Sequence, residues 1–326
     1  MQEIKACKTT LNNSAKWYTT AVSLDVEKAF DSAWHEAILF KLDATGVDKS
    51  ITRIVNSFFT DRYIQISIHN TLSNPVKLEA GTPQGSVLSP LLYLIYVNDI
   101  PLSITNGIAA GQYADDINSW ASGVNQNRVK IKLQKTLDAI QTWSRKWRIK
   151  INPLKTQLIT FKNSSNTIKL NINNTEIQHS SKITILGTKI TIERSASLIT
   201  HCKSKKAEAA KRTNLLRRLR GTSWGANSKT ILKLYKQYIR PVLEYGAVAL
   251  KEAAESAKKL LQIAETKALK TALKLPYRTK NKLVYQLAKI TPINQRINEL
   301  AQKAIEKFNS KDLENLEILK SIIIKS

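Results

Sequence analysis

Apolar residues change their spacing once along this chain, and that change limits the folds open to it. Up to about residue 192, short runs with strand character alternate with helical stretches; from about 195 onward only helical periodicity remains. Such a chain suits an α+β domain followed by an all-helical region. Residues 21–26 (AVSLDV) read as a buried strand ending in an acid, Asp25, and 31–42 as a helix that stops near Gly46. A helix over 50–60 with Ile51, Ile54, Val55, Phe58 and Phe59 on one face leads into a strand over 63–68. Residues 81–90 (GTPQGSVLSP) read as a loop opening an apolar helix over 87–97, with Pro90 tolerated in its first turn. Residues 108–121 read as a tight hairpin with Tyr113-Ala114-Asp115-Asp116 at its tip. An amphipathic helix over 126–148 then aligns Val129, Leu133, Leu137, Ile140, Trp143 and Trp147, and Asn152-Pro153 breaks it. Strand-like pieces follow at 157–162, 167–172, 175–178 and 183–192, the middle two joined through Asn173-Asn174. Helices are predicted near 195–220, 227–239, 253–274, 281–289, 292–308 and 312–323, with Pro241, Pro276 and Pro292 as punctuation.

Charge is also unevenly divided, but the change comes earlier, near residue 120. Residues 1–120 carry 9 basic and 12 acidic side chains, whereas 121–326 carry 42 and 13. A net charge of +26 calls for an anionic partner, and cations held on helices at this density suit nucleic acid, where each neutralised phosphate releases counterions. One run such as Lys203-Ser204-Lys205-Lys206 would by itself be a solvated helix face; the regional excess is harder to explain that way. A membrane surface is the weaker partner, because the basic helices also carry acids and lack an aromatic-rich opposite face. The longest apolar run, 91–97, is well short of the ~20 residues a bilayer helix needs. The N-terminus lacks a signal-peptide core, so an intracellular protein is expected, with nucleus and cytoplasm both open. Two cysteines, Cys7 and Cys202, exclude a disulfide scaffold and a four-cysteine zinc module. No phosphate-binding GxxxxGK[ST] loop and no GxSxG nucleophile motif occurs.

What remains for chemistry is a set of carboxylates on β elements: Asp25 at a strand end, Asp115 and Asp116 in a hairpin. Mg²⁺ takes oxygen ligands, often one or two carboxylates with water and substrate phosphates, and paired metals clamp both oxygens of a phosphoryl transfer. An Asp-Asp pair alone is an ordinary turn. Beside a strongly cationic region it points to chemistry on phosphates.

Three segments, in order, resemble the reverse transcriptases of non-LTR (LINE-type) retrotransposons, the jockey-like elements in particular. Residues 24–35 (LDVEKAFDSAWH) resemble that family's first palm motif, 81–99 (GTPQGSVLSPLLYLIYVND) its second, and 112–116 (QYADD) its catalytic turn. The likeness continues through Asn152-Pro153-Leu154-Lys155-Thr156, Ile185-Leu186-Gly187 and the stretch YIRPVLEYG at 238–246. It implies an RNA-directed DNA polymerase acting on an RNA template, a DNA primer and dNTPs. Under it Asp25 and Asp115 would hold Mg²⁺, with Mn²⁺ as a substitute, and Asp116 would support the site. Phe30 would be a steric gate against ribonucleotides, although by residue type it is equally a core ring. Gln84 and Gly85 would contact the incoming nucleotide and template, with Gly81 letting the backbone come close, and Lys155 would lie near the triphosphate. Tyr113 would face primer and template, and Leu186 and Gly187 would belong to a primer grip in which Ile185 stands where the family usually has Tyr.

The resemblance also implies the fold: a palm with a ferredoxin-like antiparallel sheet over 1–194, a helical thumb over 195–250 and a basic helical extension over 251–326. Only 24 residues precede Asp25, with Lys5, Lys8 and Lys16 as their basic residues, and nothing there resembles the family's fingers motifs or an endonuclease domain. The expectation is therefore a chain that binds nucleic acid and polymerises poorly alone. A catalytically inactive nucleic-acid-binding remnant is the rival reading. A group II intron or telomerase-type enzyme ranks behind both, since YIRPVLEYG fits the jockey-like elements better.

Overall fold

The computed structural model describes residues 18–101, 107–161, 168–193, 195–221 and 224–307. They fall into two compact units, divided between Ile185 and Leu186. In the first unit the strands are β1 (Tyr18–Leu24), β2 (Ile108–Tyr113), β3 (Asp116–Gly123) and β4 (Gln157–Phe161), hydrogen-bonded in the order β2-β3-β1-β4 with every neighbour antiparallel. Placing β1 between β3 and β4 requires crossovers, and helices supply them. Between β1 and β2 run α1 (His35–Ala44), α2 (Lys49–Phe59) and α3 (Ser89–Val97), and between β3 and β4 runs α4 (Gln126–Lys146). This is the ferredoxin-like arrangement expected from the sequence.

Strand alternation sorts the side chains. Val22 and Leu24 of β1, Ile117 and Ala121 of β3 and Leu158 of β4 join one core with Ile38 and Leu42 of α1, Tyr93 and Tyr96 of α3, and Leu133, Leu137 and Ile140 of α4. Trp143 and Trp147 belong to that core, as the period of α4 predicts. Lys41 is drawn into it as well, its ammonium donating to the Tyr96 carbonyl at 2.5 Å, pairing with Asp99 and lying 3.9 Å from the Trp147 ring. Burial pushes the Lys41 pKa down while Asp99 opposes the shift.

Local chemistry sets the helix ends. Asp48 accepts from the Ser50 N–H to start α2, and Asn125 accepts from the N–H groups of Asn127 and Arg128 to start α4. The predicted helix over 31–42 begins only at His35, because 27–32 are turns that follow Asp25. On α2 only Val55 and Phe59 are buried, and Ile54 is 64% exposed, so the apolar stripe is wider than the face the core covers. The predicted strand over 63–68 is two exposed two-residue ladders, Tyr63–Ile64 with Val76–Lys77 and Ser67–Ile68 with Thr71–Leu72.

The second unit opens with a hairpin of β5 (Thr188–Glu193) and β6 (Ser195–Ser197). It continues through α5 (Ile199–Arg220), α6 (Ser228–Leu234), α7 (Glu255–Ala272), α8 (Asn281–Ala288) and a helix over 293–307. Between α6 and α7 the chain winds through a π turn, Tyr235–Ile239, into a short helix, Arg240–Glu244. Pro241, expected to punctuate, does not end the helical run: it sits just past the π turn, in the first turn of that short helix. One core containing Cys202, Leu216, Tyr235, Leu243, Leu250, Leu261, Leu269, Val284 and Ile297 runs across residue 250 without a break. At its centre the buried Glu265 carboxylate accepts from the hydroxyls of Tyr235 and Tyr285 and from the Ile293 N–H, at 2.9, 2.8 and 2.7 Å. The predicted helix over 312–323 lies outside the described residues.

Candidate active site

β1 ends at Leu24, paired with Ile117 of β3, so Asp25 and Asp116 both adjoin the last rung of that ladder. Leu24 and Ile117 point into the core, and alternation therefore turns Asp25 and Asp116 to the opposite face of the sheet. Beyond β1 the backbone stays fixed: the Asp25 carbonyl accepts from the Asn152 N–H at 2.9 Å and Val26 bridges Ile151. The β2–β3 hairpin closes through Ala114 and Asp115, with Tyr113 paired to Asp116 as its last rung. Ala114 takes φ 52°, the left-handed conformation that lets a two-residue turn follow the twist of its strands. Asp115 thus stands at the tip, one residue from a fixed strand end.

The three acids act on one another. Burial, then Asp115, then Asp25 raise the carboxyl pKa of Asp116. Lys155 answers them, its ammonium lying 3.9 Å from Asp25. An Asx turn places it, in which the Asn152 side chain accepts from the N–H groups of Leu154 and Lys155 at 3.0 and 3.3 Å. Among the described residues no group of three or more His, Cys, Asp or Glu side chains stands close enough together to hold a metal ion. Mg²⁺ is nevertheless suited by this donor set. The carboxylates supply oxygen only, Asp115 and Asp25 add negative charge beside Asp116, and a pair of them with water and phosphate oxygens meets its needs. On the same face as Asp116, two residues along β3, the buried Asn118 Oδ1 has no hydrogen-bond partner among the described residues.

The glycine-rich loop is tied to the turn after Asp25. Gly81 and Thr82 donate backbone N–H bonds to the carbonyls of Ala33 and Phe30, both at 2.8 Å, and Gln84 donates to the Asp31 carboxylate at 2.9 Å. A Cβ on Gly81 would meet the Asp31 carbonyl oxygen at 2.8 Å at φ +95°, so only glycine fits. Gly85 also has positive φ, but open space surrounds it. Phe30 lies half-buried between core and surface, its ring 4.6 Å from that of Tyr93. Asp25, Phe30, Gln84, Asp115, Asp116 and Lys155 are therefore all carried by one unit, and Tyr113 stands on its hairpin 70% exposed.

Leu186 and Gly187 belong to the second unit. There Tyr245 donates its hydroxyl to the Leu186 carbonyl at 2.6 Å, and a Cβ on Gly187 would meet that hydroxyl at 2.9 Å. Asp31, His35 and Tyr245 were not singled out from sequence as positioning residues. His35 bonds the Gly81 carbonyl at 2.7 Å. Asp31 and His35 stand inside the first motif, which is the one signal that could have marked them.

Residues 1–190 match the reverse transcriptase (RNA-dependent DNA polymerase) family, over more than half of the chain. The chain belongs to the reverse transcriptase family. It is 27% identical over 307 residues to the RNA-directed DNA polymerase from mobile element jockey of Drosophila melanogaster, covering 90% of this chain and 32% of that protein. It is 28% identical to the jockey polymerase of Drosophila funebris, covering 90% of this chain and 33% of that one. For the probable RNA-directed DNA polymerase from transposon BS of Drosophila melanogaster the figures are 26%, 87% and 32%. This reverse transcriptase family member thus spans about a third of the length of those relatives. Among solved structures, telomerase from Candida tropicalis in complex with a fragment of telomeric RNA aligns at TM-score 0.44 and 13% identity, over 88% of this chain and 52% of the other. Among the described residues no helix is long and apolar enough to cross a membrane.

Proposed function

We propose that the chain is the palm and thumb part of an RNA-directed DNA polymerase of a non-LTR retrotransposon, extending a DNA primer on an RNA template with dNTPs. The observation that carries this reading is that Asp25 and Asp116 adjoin the last rung between β1 and β3, Leu24 with Ile117, with Asp115 at the adjoining turn. Asp25, Asp115 and Asp116 are the residues that would hold Mg²⁺ or Mn²⁺. When bound, such ions lower the pKa of a hydroxyl and neutralise charge on a triphosphate. The rest falls to the chain's own groups. Lys155, beside Asp25, would offer a positive charge to the departing pyrophosphate. The ring of Phe30, backed by Tyr93, would close the space beside the sugar, and Gln84, held by Asp31, would face the template side.

A second reading is a nucleic-acid-binding chain without catalysis. It draws on the absence, among the described residues, of three ligating side chains at metal-binding distance. Primer extension with the purified chain, an annealed RNA template and DNA primer, dNTPs and Mg²⁺ or Mn²⁺ separates the two. Products that vanish in Asp115→Asn/Asp116→Asn support the polymerase; salt-sensitive duplex binding without extension supports the binding protein.

A further inference from the structure

α4 ends in a way that gives up backbone comfort to place a cation. Its last turn closes with the Arg148 N–H on the Arg145 carbonyl at 3.3 Å and the Ile149 N–H on the Ser144 carbonyl at 2.8 Å. That double bond pattern turns the chain through a left-handed residue just past the helix, a position where glycine is the usual occupant. Here it is Arg148, at φ 54°. Its guanidinium carbon lies over Trp34, 3.9 Å from the ring centroid.

Arg148 borders a cavity of about 390 Å³ lined also by Arg145, Lys150, Glu27, Asn173 and the buried Ser144. Among the described residues, the side chains of Arg145, Arg148 and Lys150 make no hydrogen bond or ion pair with the protein, although Glu27 lines the same cavity. Three cations that share a concave surface repel one another and keep all their donors unspent. Asp25, Asp115 and Asp116 do not line it, and it is distinct from the carboxylate centre.

We propose that this cleft binds the phosphodiester backbone of a single nucleic-acid strand, with Arg145, Arg148 and Lys150 each engaging a phosphate. The backbone rather than the bases is recognised, because no aromatic ring lines the cavity to stack on a base. The cleft therefore takes RNA and DNA strands of any sequence. Glu27 weakens the contact by adding one negative charge to the rim. This inference rests on the polymerase reading only in taking a nucleic acid as the ligand.

The test is fluorescence anisotropy of the full chain with labelled single-stranded RNA and, separately, DNA of the same mixed sequence, over a series of salt concentrations. Wild type, Arg148→Gly, Arg145→Ala/Lys150→Ala, the triple combination and Glu27→Gln are compared, each with its melting temperature. Each cation removed should lower the slope of log affinity against log salt by about 0.7, for either strand, and Glu27→Gln should tighten binding. Arg148→Gly should melt no lower than wild type, since glycine suits the left-handed position. Unchanged affinity and slope in the triple variant, while wild type binds, would overturn the inference and leave the polymerase reading intact. Loss of dATP or pyrophosphate binding in the triple variant with strand binding retained would overturn it in favour of a free-nucleotide site. A wild-type chain that binds neither strand would overturn it too, and would remove the nucleic-acid reading with it.

Discussion

At the scale of single residues, the site sets function against comfort. Burial and two neighbouring carboxylates raise the pKa of Asp116, so its charged form is disfavoured where it stands. Asp116→Asn removes that charge without changing the side chain's shape. The variant is expected to fold at least as stably as wild type at neutral pH, by chemical denaturation, while losing primer extension. A variant that lost both would mean that Asp116 holds the hairpin together instead. Ala114 and Arg148 make the same point from the backbone: each occupies a left-handed conformation that glycine would take more easily, Ala114 beside the proposed metal-holding acids and Arg148 in the proposed phosphate cleft.

At the scale of elements, the tie between the glycine-rich loop and the turn after Asp25 is the joint that aligns the residues proposed to face the nucleotide. Gly81→Ala would drive a methyl into the Asp31 carbonyl oxygen at 2.8 Å, so a loss of about 1–3 kcal/mol is expected in urea unfolding. Gly85→Ala, with open space around it, should cost nearer ~1 kcal/mol, from its positive φ alone. Equal losses would show that space at Gly81 is not what matters. The strands and helices of the first unit were legible in the sequence: AVSLDV carries Asp25 just past the end of β1, Pro90 lies in the first turn of α3, and Asn173-Asn174 turns a hairpin with φ 49° and 60°. Hydrophobic period and turn chemistry are local, and local signals survive without a structure. Tertiary partners do not. Ile54 looks like a core residue until the neighbouring surface proves to be solvent, and nothing near Tyr245 in the sequence says that its hydroxyl reaches Leu186. The π turn at Tyr235–Ile239 was equally hidden, because one wider turn leaves the apolar period almost unchanged.

At the scale of the whole molecule, the second unit is centred on a carboxylate. Glu265 gathers donors from the π turn, from α8 and from the start of the helix over 293–307, and burial holds its pKa above the ordinary carboxylate range against those bonds. A folded-state value raised above the unfolded one means that the folded chain holds its proton longer. Its contribution to stability is fully present below the ordinary carboxylate value and is lost as pH rises through the raised one. Stability measured across that window should fall with rising pH, and Glu265→Gln should flatten the profile; an unchanged profile would place the titration elsewhere. In the first unit the sheet carries its hydrophobic residues and its acids on opposite faces of the same strands. A slip of β1 by one residue against β3 would expose Val22 and Leu24 in the same movement that sends Asp25 inward. Misregistered copies would therefore expose apolar surface and bury a charge together, and are expected to be lost as insoluble protein. Any soluble copy that has lost its activity is then expected to owe it to a changed side chain, and to keep its carboxylate positions aligned.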